Sequence, residues 1–289
     1  MTNMNDYLFH RPTTLDEAFE ARRRDPDARW LAGGTEILVQ IRKGRRECPT
    51  ALISLRNVDE LRGIEGGERL RIGAATSLTA VAEDAFVAAR FPALVQSIVA
   101  LGSRQIRNVA TLGGNLCNAS PCADTAPPLL VYGARIELRG PDGSRELALD
   151  EFFQGPGSTQ LRDGEILSAV LLETPPPGSR AIFLRKGRVA MDIAMASVAL
   201  YIEGTGARID TVRAAAGAVA PIPLRLRAVE ALLTGSKPDA DLLRRAQEAT
   251  MAEISPISDL RAGESYRRKL TGVFLRRAVE ALMPAEVSA

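Results

Sequence analysis

Two glycine turns constrain this chain more than any other feature of its sequence. The first, Gly33-Gly34-Thr35, follows an extended stretch and precedes residues with helical spacing, so these glycines lie where a strand gives way to a helix. The second is Thr111-Leu112-Gly113-Gly114-Asn115. Glycine lets the backbone N–H groups of a tight turn approach a phosphate closely, and it tolerates positive φ angles. Two such turns, with hydroxyl and amide groups beside them, indicate a phosphate-bearing ligand held between the first two segments of the chain.

Other classes of site are not supported by the sequence. There is no G-x-G-x-x-G motif opening a βαβ unit and no G-x-x-x-x-G-K-[ST] motif. The only histidine is His10, so a histidine metal site or a Ser-His-Asp triad would depend on one N-terminal residue. The 37 basic and 35 acidic residues give a formal charge of +2, which provides no overall field for nucleic acid or an anionic membrane. We therefore expect neither a nucleic-acid partner nor a bound metal.

The N-terminus and the cysteines indicate the cellular compartment. The first residues, Met1-Thr2-Asn3-Met4, do not begin a basic region followed by an apolar core, and no window approaches the roughly 20 apolar residues of a membrane span. Cys48, Cys117 and Cys122 are sparse and odd in number, which fits a reducing compartment better than a disulfide scaffold. We expect a cytoplasmic protein with no membrane span.

The chain divides into three segments, residues 1–58, 59–176 and 177–289, and each mixes helical and extended patterns. Thr14 and Glu17 form a capping box before the first helix. A hairpin in the third segment is joined through Gly204-Thr205-Gly206. The other main helices are predicted near 78–89, 92–101, 224–233, 239–252 and 263–282, and the main strands at 51–55, 135–138, 165–172, 198–202 and 209–216. These patterns predict an α+β protein.

The residues around the two turns resemble a known family. The stretch Leu31-Ala32-Gly33-Gly34-Thr35-Glu36-Ile37-Leu38 resembles the first FAD-pyrophosphate loop of the medium subunits of xanthine and carbon monoxide dehydrogenases, and residues 105–116 resemble their second loop. Residues 118–121 with Asp124 extend the match, and the chain from Tyr201 onward resembles the family's C-terminal domain. The resemblance covers nearly the whole chain. It implies an α+β, two-subdomain FAD-binding fold (PCMH-type) followed by a smaller α+β C-terminal domain.

The resemblance also implies which residues bind FAD. Those on the two sides of the pyrophosphate would be Leu31, Ala32, Gly33, Gly34, Thr35, Glu36 and Ile37, and Thr111, Gly113, Gly114 and Asn115. Leu101 and Leu167 fall where the family places apolar contacts to the isoalloxazine, and Asp124 matches a polar cofactor contact. The basic residue that the family carries near the flavin is assigned to Lys186, with Arg185 as the competing assignment. From the residues alone, Leu101 and Leu167 would be core residues and Asp124 a helix cap.

The function that the resemblance implies is electron transfer within a multi-subunit molybdenum hydroxylase. A large subunit would oxidise the substrate at a molybdenum cofactor, and a small subunit with two-iron clusters would pass single electrons to FAD in this chain. The flavin would then reduce an external acceptor. No residue is expected to be catalytic. Two alternatives stay open, a self-contained flavin oxidase or dehydrogenase with its own substrate pocket, and a flavin-free scaffold subunit.

Two further features have more than one interpretation. The flavin subunits of 4-hydroxybenzoyl-CoA reductases resemble this chain and place cluster-binding cysteines just after the second loop. A four-iron cluster needs four thiolates and this chain has three cysteines in all, so we expect Cys117 and Cys122 to be ordinary small residues near the flavin. The last predicted helix would either face a partner subunit or be a solvated helix packed on its own domain, and its basic residues are Arg267, Arg268, Lys269, Arg276 and Arg277.

Overall fold

The computed structural model describes residues 8–205 and 207–283. Met1-Thr2-Asn3-Met4 at the N-terminus and Gly206 in the expected hairpin turn lie outside the described residues. Three main sheets and a small two-stranded sheet, with helices around them, make up the fold, so the predicted mixture of helix and strand is confirmed. In the described ranges, no helix combines the length and the apolar character that crossing a membrane requires.

The first sheet is parallel, with the strand order β1-β3-β2, where β1 is Leu8–His10, β2 is Arg29–Leu31 and β3 is Ala51–Ser54. The helices of this part are α1 (Leu15–Arg24) and α2 (Ile37–Arg42). One half of the predicted capping box is present, because the Thr14 hydroxyl accepts a hydrogen bond from the backbone N–H of Glu17 at 3.2 Å, whereas the Glu17 carboxylate accepts from the backbone N–H of Thr13 at 2.7 Å. Since β2 is an edge strand, the first glycine turn leaves the sheet at its margin, between β2 and α2.

The second part is built on a five-stranded antiparallel sheet with the order β4-β5-β10-β6-β7. Its strands, with those of the small sheet, are β4 Ile64–Glu65, β5 Arg69–Gly73, β6 Arg135–Gly140, β7 Gly143–Ala148, β8 Phe153–Gly155, β9 Ser158–Thr159 and β10 Ile166–Glu173. Its helices are α3 Leu78–Glu83, α4 Ala85–Arg90, α5 Pro92–Ala100, α6 Arg104–Val109, α7 Leu112–Cys117, α8 Ala126–Val131 and α9 Leu149–Phe152. The single helix predicted over 78–89 is two helices, because the Asp84 carboxylate accepts from the Val87 N–H and starts α4.

The third part has a four-stranded antiparallel sheet in chain order, formed by β11 Arg180–Lys186, β12 Ala196–Glu203, β13 Thr211–Gly217 and β14 Leu224–Arg225. Its helices are α10 Arg227–Leu233, α11 Ala240–Glu253 and α12 Glu264–Leu282. The strands and helices predicted after residue 198 are confirmed, except that residues 224–225 pair with β13 and α10 begins only at Arg227.

Among the basic residues of α12, Lys269, Arg276 and Arg277 are exposed, whereas Arg268 is half-buried and Arg267 is buried. The Arg267 side chain is 3% exposed and donates to the carbonyl oxygens of Met195 and Ala218, 2.8 and 3.1 Å away. Arg268 donates to the carbonyl oxygens of Met251 and Ile254. Both arginines therefore pack within their own domain.

The third sheet packs one face on helices α10 to α12 of its own part and the opposite face on the second part of the chain. Phe183 and Tyr201 belong to the hydrophobic core that also contains Leu94, Leu129 and Ile136. The ring of Tyr201 meets that of Tyr132 edge to face, with centroids 5.8 Å apart. Alternate residues of β11 therefore point either into the second part or into the third part's own core. This packing brings Arg185, near the end of β11, close to the last residue of α5 and to Asp124, between α7 and α8.

Candidate functional site

A cavity of about 490 Å³ lies between the first sheet, the helices after β5 and the segment that follows β11. The expected cofactor residues that line it are Ala32, Gly33, Gly34, Thr35, Glu36, Ile37, Leu101, Thr111, Gly113, Gly114, Asn115, Asp124 and Leu167. Two residues expected at the cofactor, Leu31 and Lys186, are not on its wall. Leu31 stands behind the first turn, where its Cδ1 atom lies 3.3 Å from the position that a Cβ atom on Gly34 would take.

The first turn offers a run of unused backbone donors. The N–H groups of Gly33, Gly34, Thr35 and Glu36 have no hydrogen-bond acceptor among residues 8–205 and 207–283. Gly34 adopts a φ of +72°, a left-handed conformation that glycine accepts without steric strain. Successive N–H groups in a turn with one left-handed residue form a concave anion-binding site. This turn therefore fits the pyrophosphate of a dinucleotide.

The second turn uses its backbone donors inside the protein, which differs from the expectation of two matching backbone clamps. The N–H of Gly113 donates to Ala74 O at 2.9 Å, and the N–H of Gly114 donates to the Thr111 hydroxyl at 3.0 Å. The Asn115 side-chain oxygen accepts from the Thr125 hydroxyl at 2.6 Å, which leaves the Asn115 amide hydrogens as donors. This turn would therefore hold a phosphate or ribityl group with side chains.

The glycines of the second turn are required by packing. A Cβ atom on Gly113 would lie 2.5 Å from the Cβ of Ala74, and one on Gly114 would lie 2.9 Å from the Thr111 hydroxyl oxygen and 3.3 Å from the Cβ of Ala32. The first two separations are shorter than real Cβ contacts and the third is tighter than most, so α7 packs directly against Ala74, which follows β5, and closely against the first turn. Close approach of the ligand is therefore not the only reason for glycine here.

A buried carboxylate forms the polar part of the cavity wall. Burial raises the pKa of Asp124 to about 6, although the nearby guanidinium of Arg185 acts in the opposite direction. Leu101 and Leu167 lie on the same wall, where Leu167 is buried on β10 and Leu101 follows α5. One wall thus combines apolar side chains with a carboxylate that can accept a hydrogen bond.

The structure does not bring Lys186 to this cavity. Residues alternate along β11, so Phe183 and Arg185 face the second part of the chain, whereas Lys186 is exposed on the opposite face. Arg185 instead lies beside Asp124, with Nε 3.2 Å from Oδ1. The basic side chain nearest the cavity wall on this strand is therefore that of Arg185, the competing assignment.

Cys117 and Cys122 both line the cavity as free thiols. Burial raises the pKa of Cys117 to about 12, and burial is also the main reason that the pKa of Cys122 is raised. Both side chains are therefore neutral thiols at neutral pH. Across the described chain, no cluster of three or more His, Cys, Asp or Glu residues is arranged to hold a metal ion.

Comparison with known proteins identifies the family. A model described as the FAD binding domain in molybdopterin dehydrogenase matches residues 3–175, and one described as the CO dehydrogenase flavoprotein C-terminal domain matches residues 182–282. The chain belongs to the FAD-binding medium subunits of this family. It is an oxidoreductase subunit of the molybdenum hydroxylases and its cofactor is FAD.

Similar proteins extend over nearly the full length of this FAD-binding subunit. It is 34% identical to the carbon monoxide dehydrogenase medium chain of Afipia carboxidovorans, over 94% of this chain and 95% of the relative. It is 32% identical to a putative xanthine dehydrogenase FAD-binding subunit of Escherichia coli (strain K12), over 96% of both. A crystal structure of Cu,Mo-CO dehydrogenase aligns with a TM-score of 0.90 at 34% identity, covering 95% of this chain and 96% of that one. The implied two-subdomain FAD-binding fold with a C-terminal domain is thereby confirmed.

Several residues on the cavity wall of this FAD-binding subunit were not predicted from the sequence. They are Trp30, Leu55, Leu61, Glu165, Ile166, Met191, Asp192 and Ile193, among others. Most are apolar residues at the ends of strands or in irregular segments, and such residues cannot be told from core residues by pattern alone. Two carboxylates in this set already have partners, because Glu165 is bound by Arg145 at 2.8 Å and Asp192 by Arg188 at 2.6 Å.

Proposed function

We propose that this chain transfers electrons inside a three-subunit molybdenum hydroxylase. It takes them from the two-iron clusters of a small subunit and passes them to an external acceptor, while a large subunit oxidises the substrate at its molybdenum cofactor. Support comes from the matched domain, described as part of a molybdopterin dehydrogenase, and from the relative named a medium chain of carbon monoxide dehydrogenase. Family membership weighs against a flavin-free scaffold and against a self-contained flavin oxidase or dehydrogenase.

The observation that carries the proposal is the chemistry of the cavity wall. Its described side chains include donors and acceptors for binding, but the carboxylates of Glu165 and Asp192 are already paired with arginines. The two thiols on the wall are protonated. FAD, when bound, supplies the capacity to accept electrons and deliver them to an acceptor. The protein's own contribution is therefore to bind and orient the cofactor, and substrate oxidation belongs to another subunit.

The proposed binding mode assigns a role to each side of the cavity. The free N–H groups of residues 33–36 hold the pyrophosphate, and the Asn115 amide and the Thr111 hydroxyl hold the adjoining polar groups. Leu101 and Leu167 contact the isoalloxazine, and Asp124 accepts a hydrogen bond from the cofactor. We place the boundaries between the three domains after residues 58 and 176. We also propose a cytoplasmic location, which the three free cysteines support.

Metal analysis of the protein from its own cells tests this proposal. The tagged chain would be purified from the source organism and its FAD, iron and molybdenum contents measured, with the same chain produced alone in a foreign host as the control. We expect FAD in both preparations, and iron and molybdenum together only in the native one. FAD without iron and molybdenum in the native preparation would contradict the proposed complex.

A further inference from the structure

A buried ion pair joins the C-terminal sheet to the wall of the FAD cavity. Nε of Arg185, on β11, lies 3.2 Å from Oδ1 of Asp124, and the two side chains are only 10% and 7% exposed. The Arg185 guanidinium also donates to the carbonyl oxygens of Ala100, at 3.0 Å, and Asp192, at 2.6 Å. Ala100 directly precedes Leu101, and Asp192 lies on the cavity wall. One side chain therefore fastens three separate stretches of that wall.

The same arrangement leaves an acceptor on Asp124 available to a ligand. Oδ1 of Asp124 is buried and accepts no hydrogen bond from any described residue, because Nε of Arg185 is close to it but not aligned with it. A buried carboxylate oxygen without a donor is energetically unfavourable. Because Oδ1 is enclosed beside Arg185, the oxygen that a ligand N–H or O–H group in the cavity can reach is Oδ2.

We propose that Arg185 is a positioning residue of the FAD site that acts through Asp124. It holds the Asp124 carboxylate in its ionised form beside the cavity and does not itself contact the cofactor. This inference rests on the proposed assignment of Asp124 to FAD. It differs from a cation placed directly against the flavin, because the Arg185 side chain is absent from the described cavity wall, its two terminal nitrogens donate to backbone oxygens and its Nε lies against Asp124.

The ionisation of Asp124 depends on the charged groups around it. Burial of its carboxyl group raises its pKa, and the charge and hydrogen-bonding capacity of Arg185 lower it. Cys122, in the same turn, faces Asp124 as a neutral thiol because burial raises the pKa of that thiol. Farther away, in the C-terminal part, the charges of Arg267 and Arg261 lower the pKa of the Cys122 thiol and that of Asp259 raises it. Arg185 is thus the cation that keeps the Asp124 carboxylate ionised.

Titration of FAD binding against pH tests the proposal. The full-length chain would be stripped of cofactor and titrated with FAD by visible absorption from about pH 5 to about pH 9. In the wild type, affinity should fall as the pH drops through about 6, because a protonated Asp124 loses its charge and part of its accepting capacity. In Arg185→Gln, this fall should begin at a higher pH, and affinity at pH 7 should be roughly tenfold lower. Asp124→Asn should abolish the dependence in this range.

Three further variants separate positioning from simple loss of structure. Arg185→Lys keeps the charge but not the planar fork, so its pH profile should keep the wild-type midpoint while affinity drops at every pH. Lys186→Gln, on the opposite face of β11, should leave the profile unchanged. Unlike Asp124, Glu165 and Asp192, the wall carboxylate of Glu36 has no arginine partner among the described residues, and the midpoint should persist in Glu36→Gln. Circular dichroism would verify that each variant is folded.

The possible results distinguish a positioning role of Arg185 from a purely structural one. A uniform loss of affinity in Arg185→Gln with an unshifted midpoint would make Arg185 a purely structural residue and overturn the proposal, as would a pH dependence that survives in Asp124→Asn. A wild-type chain that binds no FAD would instead refute the proposed binding site itself. Absence of iron and molybdenum from the native complex would bear on electron transfer and leave this inference intact.

Discussion

A side chain on Gly33 would collide with the backbone of Val109. A Cβ atom on Gly33 would lie 2.7 Å from the carbonyl carbon of Val109 and closer still to its oxygen. Val109 ends α6, two residues before the second glycine turn begins, so the first turn is in direct backbone contact with the segment that leads into the second. Gly33 is therefore required for the packing of one half of the FAD cavity against the other, and the free N–H groups beside it depend on that packing.

Replacing Gly33 with alanine should reduce both stability and FAD content. The added methyl group must displace the end of α6, and overpacking of this kind destabilises proteins by about 1–3 kcal/mol. Thermal unfolding and the absorption of the purified protein would measure the two effects. Gly155→Ala is the matched control, since a Cβ atom there meets nothing within 4 Å. Normal FAD content in Gly33→Ala would mean that the contact between the turns is not needed for binding.

Asn115→Asp should weaken FAD binding and leave the fold intact. The carboxylate can still accept the hydrogen bond from Thr125, but it replaces an amide donor with a negative charge near the proposed pyrophosphate position. We expect at least about a tenfold loss of affinity, which corresponds to about 1.4 kcal/mol. Asn108→Asp is the control, because Asn108 accepts from Thr79 in the same way, at 2.7 Å, but lies off this cavity. Equal affinities in the two variants would contradict the role of Asn115.

The stability of the FAD-free chain should depend on pH through Asp124. Its pKa of about 6 in the folded chain lies above the ordinary 3.8, so the folded state binds this proton more tightly than the unfolded state does. The contribution of Asp124 to stability is therefore most favourable below about pH 4 and declines as the pH rises to about 6. A rise of about two pKa units corresponds to about 3 kcal/mol.

Urea unfolding of the FAD-free wild type and Asp124→Asn at pH 4 and at pH 7 measures this contribution. The free energy of unfolding of the wild type, relative to the variant, should decrease between the two pH values by an amount on the order of 2–3 kcal/mol. Comparing the two proteins cancels the titration of every other group. A difference that does not change with pH would show that Asp124 is not perturbed in the folded chain.

Arg267→Met should strongly destabilise the C-terminal domain. The substitution leaves the carbonyl oxygens of Met195 and Ala218 and the carboxylate of Asp259, which Arg267 binds at 2.7 Å, without this donor. Breaking a buried charge pair by removing one partner typically destabilises by about 3–5 kcal/mol. Arg276→Met breaks only an exposed pair with Glu280 and should change stability by less than about 1 kcal/mol. Similar unfolding midpoints for the two variants would rule out this structural role.

The helices and strands that were predicted correctly are those whose own residues show a regular apolar spacing. The hairpin of β12 and β13 and the long helix α12 carry regular apolar spacing within themselves. By contrast, β1 and β11 were not predicted. The three residues of β1 pair with β3, far along the chain. The two faces of β11 pack into two different cores, so Phe183 and Leu184 are both needed inside and no polar alternation appears.

The cofactor loops were recognised from their residues, but which of their backbone N–H groups are free to bind a ligand could not be predicted. Whether a turn N–H is free or bonded depends on partners such as Ala74, which contacts Gly113 only in the folded chain. The choice between Arg185 and Lys186 likewise depends on the pairing of β11 with β12, because shifting a strand by one residue exchanges its two faces.

The most direct test of the account is the visible absorption spectrum of the purified chain and of Gly34→Val after titration with FAD. Valine cannot adopt the φ of +72° at Gly34 without strain, so the four free N–H groups of the turn would lose their arrangement. Gly178→Val, at a φ of +85° with nothing within 4 Å, imposes similar strain away from the cavity. We expect an oxidised-flavin spectrum in the wild type and in Gly178→Val, and its loss in a folded Gly34→Val. Stoichiometric flavin in Gly34→Val would contradict the proposed pyrophosphate site.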